Sequence, residues 1–347
     1  MTFARARAYV ILGQSYGQEG YDRTPAYSAF QEAIRRVINT DAADIQTNIG
    51  GSPTLVAGNV FQRRNQAFDG SAVLEKNKGS ITTNYWLEND GTTAGPRLTT
   101  AVNAITALSQ KPILAVYSHG EQDAGFTTTS ALAEEVTDGM VEIFDQIRTA
   151  AGDANMPFFV DILGQRFVSQ EFNEYRLRDA MLAMIAAEAD VFRGCEKYPL
   201  LLDNTTHPTT DIGYATMGAW TGRKVAAWLL DETLPGPSIA SAVRTGNNVA
   251  VTITVPSGGT LIKPAQPDYF GLFDASDNRI PITDYSWSGD VLTITGASVP
   301  ARLRYPAREN KLADIARVVR LSNPSNANRL FVGEPGLPLE SAPTFTL

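Results

Sequence analysis

The sequence predicts an α/β protein: a parallel sheet covered by helices over the first two-thirds, followed by a small all-β domain. Three observations predict it. Short apolar runs alternate with longer amphipathic stretches as far as about residue 230, the pattern of strands crossed over by helices. After the break at Leu234-Pro235-Gly236-Pro237-Ser238, Val249, Val251, Ile253 and Val255 alternate with Ala250, Thr252 and Thr254, the period-two signature of a half-buried strand. The 347 residues, 43% of them hydrophobic, suffice to bury one large core or two smaller ones. We therefore place an α/β domain at residues 1–236 and a β domain at 237–347.

The elements follow in order. Tyr9-Val10-Ile11-Leu12 reads as the first strand, Asp44 to Ile49 as the second, Ile113 to Tyr117 as the third and Phe158 to Leu163 as the fourth, each ending at a glycine or polar turn. Between them, Tyr27 to Val37, Arg97 to Leu108, Ala131 to Ala150 and Glu171 to Ala187 carry apolar residues at three- and four-residue spacing and read as helices. A last helix runs from about Tyr214 to Leu230. Phe61 to Pro96, rich in Asn, Gly and Thr, reads as a long irregular insertion of the kind that shapes binding sites. In the β domain, Gly246-Asn247-Asn248 and Ser288-Gly289-Asp290 look like hairpin turns, the second followed by a strand from Val291 to Thr295.

Composition narrows the partners. A formal net charge of -8 leaves no broad basic surface for phosphates, so nucleic acid is not expected, and an acidic face repels anionic membranes. No apolar run approaches the roughly 18 residues of a membrane span. The first residues, Met1 to Arg7, carry neither the apolar region nor the cleavage site of a secretory signal, so the expected place of synthesis is the cytoplasm. The single cysteine, Cys195, rules out an internal disulfide or a zinc-cysteine cluster and is expected to pack as a small hydrophobe.

The chemistry gathers at strand ends, where loops converge in open parallel sheets. Gly13-Gln14-Ser15 follows the first strand, placing a serine at a strand-to-helix turn; such a serine is also an ordinary turn or helix cap. Asn48-Ile49-Gly50-Gly51-Ser52-Pro53 follows the second strand, and its paired glycines either let amides approach a ligand or simply turn the chain. The only two histidines lie in Tyr117-Ser118-His119-Gly120-Glu121-Gln122-Asp123-Ala124, after the third strand, and in Leu202-Asp203-Asn204-Thr205-Thr206-His207-Pro208-Thr209. Imidazole is the base matched to neutral pH, and a serine hydroxyl needs such a base to become a nucleophile. A carboxylate at Asp203 would fix the tautomer of His207, or Asp203 and Asn204 would cap a turn. Tyr16, Tyr21, Tyr85 and Trp86 fit either sugar stacking or buried packing.

Taken in order over about 200 residues, these four blocks resemble the SGNH hydrolase superfamily, and within it the carbohydrate acetylesterases of the sialate O-acetylesterase type. Ala301 to Tyr305, Gly336-Leu337-Pro338 and Ala342 to Phe345 look like the ends of those esterases. The resemblance implies a flavodoxin-like, three-layer α/β/α domain with a parallel sheet, followed by a β-sandwich-like domain. It implies Ser15 as nucleophile and His207 as base and then acid, an oxyanion hole that includes the Ser15 and Gly51 amides, and no metal or organic cofactor. Two departures leave alternatives. His119 stands where those esterases carry glutamine, while Gln122 occupies the place of the wider superfamily's asparagine donor, so either residue is a candidate oxyanion donor. Asn204, three residues before His207, stands where the family acid normally lies, with Asp203 one further back, so Asn204 is the second choice as orienting residue.

The leading expectation is an esterase that removes O-acetyl groups from a sugar or polysaccharide; a lipase-like or thioesterase member of the superfamily is the nearer rival. The same departures also suit a glycan-binding or structural component on an esterase scaffold, for example in a phage virion. Self-association or attachment to a larger assembly fits either class.

Overall fold

The computed structural model describes residues 7–13, 29–34, 61–164, 174–200, 211–307, 317–322 and 337–347. Strands β1 (Arg7–Gly13), β2 (Phe61–Asn65), β5 (Pro112–Ser118), β6 (Phe158–Ile162) and β7 (Val191–Glu196) form one sheet in the order β2-β1-β5-β6-β7. All four pairings are parallel. Between β2 and β5, the short parallel pair β3 (Ala72–Leu74) and β4 (Tyr85–Leu87) stands apart from this sheet.

The central strands read as unbroken apolar runs because both faces are buried. On β1, Val10 and Leu12 face one core and Tyr9 and Ile11 the other; on β5, Ala115 and Tyr117 face the first, Leu114 and Val116 the second. Helices α1 (Pro96–Thr106), α3 (Ser130–Ala151) and α4 (Glu174–Ala187) cover the first face through Leu98, Met140, Phe144, Leu177 and Met181. The helical residues 29–34 and α5 (Asp211–Leu229) cover the second through Phe30, Ile34, Met217 and Trp220. This is the three-layer α/β/α arrangement that the sequence leads one to expect. Cys195 is a buried free thiol in the second core.

One expectation changes. Phe61 to Pro96 is not wholly irregular: β2 is the edge strand of the main sheet, and β3, a 3-10 turn at Glu75–Asn77 and β4 follow it. An edge strand has only one neighbour, so the polar run Phe61-Gln62-Arg63-Arg64-Asn65 lacks the apolar stretch that marks the central strands. Tyr85 and Trp86 are buried, Trp86 in the first core, so neither offers a face to a sugar. The strand expected at residues 44–49 lies outside the described residues.

Beyond α5, β8 (Ser238–Thr245) and β9 (Asn248–Thr254) form a hairpin, with Gly246 at φ 60°. Further along lie β11 (Gly271–Phe273), β12 (Arg279–Ile280), β13 (Ile282–Ser288), β14 (Val291–Gly296), β15 (Arg302–Tyr305) and β17 (Ala342–Thr346). Two four-stranded antiparallel sheets, β13-β14-β9-β8 and β12-β11-β15-β17, enclose a core of Val249, Val251, Leu292, Ile294, Leu272 and Leu303. The small pair β10 (Leu261–Ile262) and β16 (Arg320–Leu321) completes this region.

The two regions are joined by polar contacts. The Tyr198 hydroxyl bonds to the Tyr305 hydroxyl (2.7 Å) and donates to the Leu339 carbonyl (2.6 Å). Arg193 donates to the Ser341 carbonyl (3.0 Å), and Thr344 donates to Asp179 (2.7 Å).

Candidate active site

In a sheet of this order, the strand on either side of which the winding reverses is β1, and the crevice lies at the carboxyl ends of β1 and β5. There Gly13 and Ser118 are direct Cα partners. Gly13 has φ +113°, and a Cβ at this position would lie 2.1 Å from the Ser118 carbonyl oxygen. Only glycine lets the two backbones come this close. Gly13 is also the first residue of the Gly13-Gln14-Ser15 block. The third expected strand end therefore leaves the sheet beside the first.

After Ser118, His119 leads to Gly120 (φ 109°) and the short helix α2 (Glu121–Ala124). His119 is fully buried. The Gly120 amide donates to its Nδ1 (2.8 Å) and its Nε2 lies 3.3 Å from Ser71 Oγ. A ring nitrogen that accepts an amide hydrogen bond carries no proton, so the neutral ring has its proton on Nε2, directed at Ser71. Burial, and next the Lys197 cation, lower the His119 pKa to about 3. The carboxylate of Asp123, 3.6 Å from Nδ1, therefore faces a neutral imidazole and makes no ion pair with it. Asp123 instead accepts from the Val73 amide (2.9 Å) and from Asn77 Nδ2 (2.9 Å), tying α2 to β3 and the turn after it.

Ser71 is the hub of this floor. Its hydroxyl accepts from Trp86 Nε1 (3.0 Å) and donates to the Gly13 carbonyl (3.4 Å), so one side chain links the end of β1, the His119 ring and β4. Beneath α2, Lys197 Nζ donates to Glu121, both side chains being buried. Lys197 directly follows β7, so this ion pair binds the ends of β5 and β7 together. Gln122 is half-buried and donates from Nε2 to the Asn77 carbonyl (3.2 Å).

The candidate residues thus divide. The structure places His119 and Gln122 at the carboxyl end of β5, beside the end of β1. His119 directs its proton to Ser71, and Gln122 donates an amide N–H to the Asn77 carbonyl. Ser15, Gly51, Asp203, Asn204 and His207, like Tyr16 and Tyr21, lie outside the described residues. Ser71 and Lys197 escaped the sequence reading because each joins the site from far along the chain, 48 and 76 residues from its partner.

No protein-family model and no curated protein matches the sequence. Among solved structures, the chain is similar to a carbohydrate acetylesterase from Xanthomonas citri, with 14% identity and a TM-score of 0.56, over 96% of this chain and 80% of that one. Two weaker similarities are partial. A protein from Arabidopsis thaliana matches at 14% identity and a TM-score of 0.39, over 58% of this chain and 68% of that one. A carbohydrate acetylesterase from Sinorhizobium meliloti matches at 12% identity and a TM-score of 0.41, over 64% of this chain and all of that one. At such identities likeness speaks to fold alone, and the first comparison speaks to it across both regions. The class so defined is a flavodoxin-like α/β/α fold with a parallel sheet, followed by antiparallel β-sheets, as in the Xanthomonas citri protein.

Proposed function

We propose that the protein is a serine esterase of the sialate O-acetylesterase type within the SGNH hydrolases, which removes O-acetyl groups from a sugar or polysaccharide. The observation that carries this reading is the pairing of Gly13 with Ser118, which starts the Ser15 block and the His119–Asp123 block from adjacent strand ends at the switch point of the sheet. The order of the four sequence blocks and the fold shared with a carbohydrate acetylesterase support it.

In this mechanism Ser15 Oγ attacks the acetyl carbonyl carbon while His207 takes its proton. Asp203, or Asn204 in its place, holds the ring in the required tautomer. The oxyanion is held by the Ser15 and Gly51 amides and by a third, side-chain donor, Gln122 or His119. Each such donor typically contributes about 3 to 4 kcal/mol to lowering the barrier. Collapse breaks the ester bond, His207 gives its proton to the departing sugar oxygen, which leaves as a hydroxyl, and water attacks the acetyl-serine by the same route to release acetate.

The test is hydrolysis of p-nitrophenyl acetate. Ser15→Ala should lower kcat by on the order of 10⁴-fold or more, and a fluorophosphonate should label Ser15 stoichiometrically. Equal rates in the two proteins would overturn the reading. An unlabelled, inert protein that still bound acetylated glycan would identify a binding component instead.

A further inference from the structure

Glycine at position 13 solves one problem and creates another. Its missing Cβ lets β1 end against the Ser118 backbone. A glycine, however, turns freely about its backbone bonds, and the peptide that follows Gly13 is the first link of the chain to Ser15. A reacting group misplaced by about 1 Å loses on the order of 100-fold in rate. A nucleophile that follows a glycine so closely needs that peptide held from outside.

Two donors hold it. The Phe68 amide donates to the Gly13 carbonyl (2.9 Å), and the turn that follows, closed by the Ser71 amide on the Phe68 carbonyl (3.2 Å), brings the Ser71 hydroxyl to the same Gly13 carbonyl at 3.4 Å. That distance is long for a hydroxyl donor, and the count of hydrogens is what commits the proton to it. An indole nitrogen can only donate, and so can the protonated Nε2 of His119, so Ser71 Oγ accepts from both Trp86 (3.0 Å) and His119 (3.3 Å). A hydroxyl has two lone pairs and one proton. With both lone pairs engaged, the proton of this fully buried serine goes to Gly13. Among the described residues this is the one side-chain hydrogen bond to the Gly13 backbone. A carbonyl with one donor can pivot about it, whereas two donors fix the plane of the peptide, and with it the direction in which the chain leaves β1.

We infer that Ser71 is a positioning residue for the nucleophile: through the Gly13 carbonyl it sets the angle at which the Gln14-Ser15 turn leaves the sheet, with Trp86 and His119 behind it aiming its proton. Ser71 touches no substrate in this role. The inference rests on the reading of Ser15 as the nucleophile of an esterase and adds to it a side chain from β2–β3 that no block of the sequence contains.

The experiment measures the rate constant for labelling of Ser15 by a fluorophosphonate, with kcat and KM for p-nitrophenyl acetate, in the full chain and in its Ser71→Ala and Ser71→Cys variants. Alanine has no proton to give, and cysteine gives one weakly. The labelling constant and kcat should fall together, by on the order of 10- to 100-fold in the alanine variant and by less in the cysteine variant, with KM little changed. Tyr198→Phe, which removes a hydroxyl between the two regions and away from β1, should leave the labelling constant as it is, so that loosening of the fold in general does not imitate the effect. Should the alanine variant fail to fold, the cysteine variant carries the test by the same comparison. A labelling constant and kcat equal to those of the unaltered protein would overturn the inference. A rise in KM at constant kcat would overturn it too, by placing Ser71 in substrate binding. An unaltered protein that takes no label at Ser15 would overturn the esterase reading and the inference with it, whereas a labelled protein indifferent to Ser71 would overturn the inference alone.

Discussion

The parallel-sheet region and the β region bury different things. At the carboxyl ends of β5 and β7 the first buries His119, Glu121, Asp123 and Lys197 almost completely. The sandwich core of the second is built from Val249, Val251, Leu272, Leu292, Ile294 and Leu303, and its buried Arg304 and Ser341 lie at the seam with the first. Burial of a charge is unfavourable unless a partner compensates it. A fold that places such groups together at strand ends is holding loops there in a fixed geometry, whereas the sandwich core is mainly apolar, with buried Asp268 paired to Arg317 at its margin.

The sharpest way to break this contrast is to uncouple the buried ion pair. Lys197→Met leaves Glu121 buried, with Oε2 already lacking a hydrogen-bond partner among the described residues, and should destabilise the protein by about 3–5 kcal/mol. The double variant Lys197→Met/Glu121→Gln removes both charges and should recover most of that loss. Chemical denaturation of the three proteins decides it. A double variant as unstable as the single one would show that Lys197 acts through packing of its stem and not through its charge.

A second effect concerns acid and grows with each pH unit. Folded His119 has its pKa near 3, while an unfolded histidine titrates near 6.5, about the ordinary value. Between these values the unfolded chain binds the extra proton. The contribution is therefore complete above about pH 6.5 and is lost as pH falls toward 3, at about 1.4 kcal/mol per pH unit. His119→Gln should flatten the acid limb of the stability profile by that slope relative to the unaltered protein. The His119 ring should show no titration by NMR down to pH 4.5. A ring that titrated near 6.5 would mean that the floor of the site is wet.

The same contrast explains what was legible in the sequence. Tyr9 to Leu12, Ile113 to Tyr117 and Phe158 to Ile162 could be read because strands buried on both faces must be apolar, and Val249, Val251 and Ile253 because a half-buried strand must alternate. Two strands of the main sheet were hidden. β2 is a polar edge strand. β7 carries Arg193 and Glu196, which are there to meet Glu340 and Ser341 of the C-terminal segment. For the site, the order of blocks pointed to the ends of β1 and β5, and Gly13 explains why the first block must begin as it does. The direction of the His119 proton was not legible, because it depends on Ser71 and on a single amide bond to the neighbouring glycine. Trp86, which fitted either sugar stacking or buried packing, is buried and is the donor that orients Ser71.

The smallest effect tests whether the proposed boundary at residues 236 and 237 separates independent units. Tyr198 follows a strand of the parallel sheet but packs in the sandwich core, its hydroxyl between Tyr305 and the Leu339 carbonyl. Tyr198→Phe keeps the ring and deletes the oxygen, so its cost is that of the hydrogen bonds, about 1 kcal/mol. If the seam couples the regions, calorimetry should show one transition in both proteins, moved to lower temperature in the variant by a few degrees. A transition that split in two would mean that the sandwich melts by itself and that the contacts of Arg193, Arg178 and Asp179 across the seam do not bind the regions into one cooperative unit.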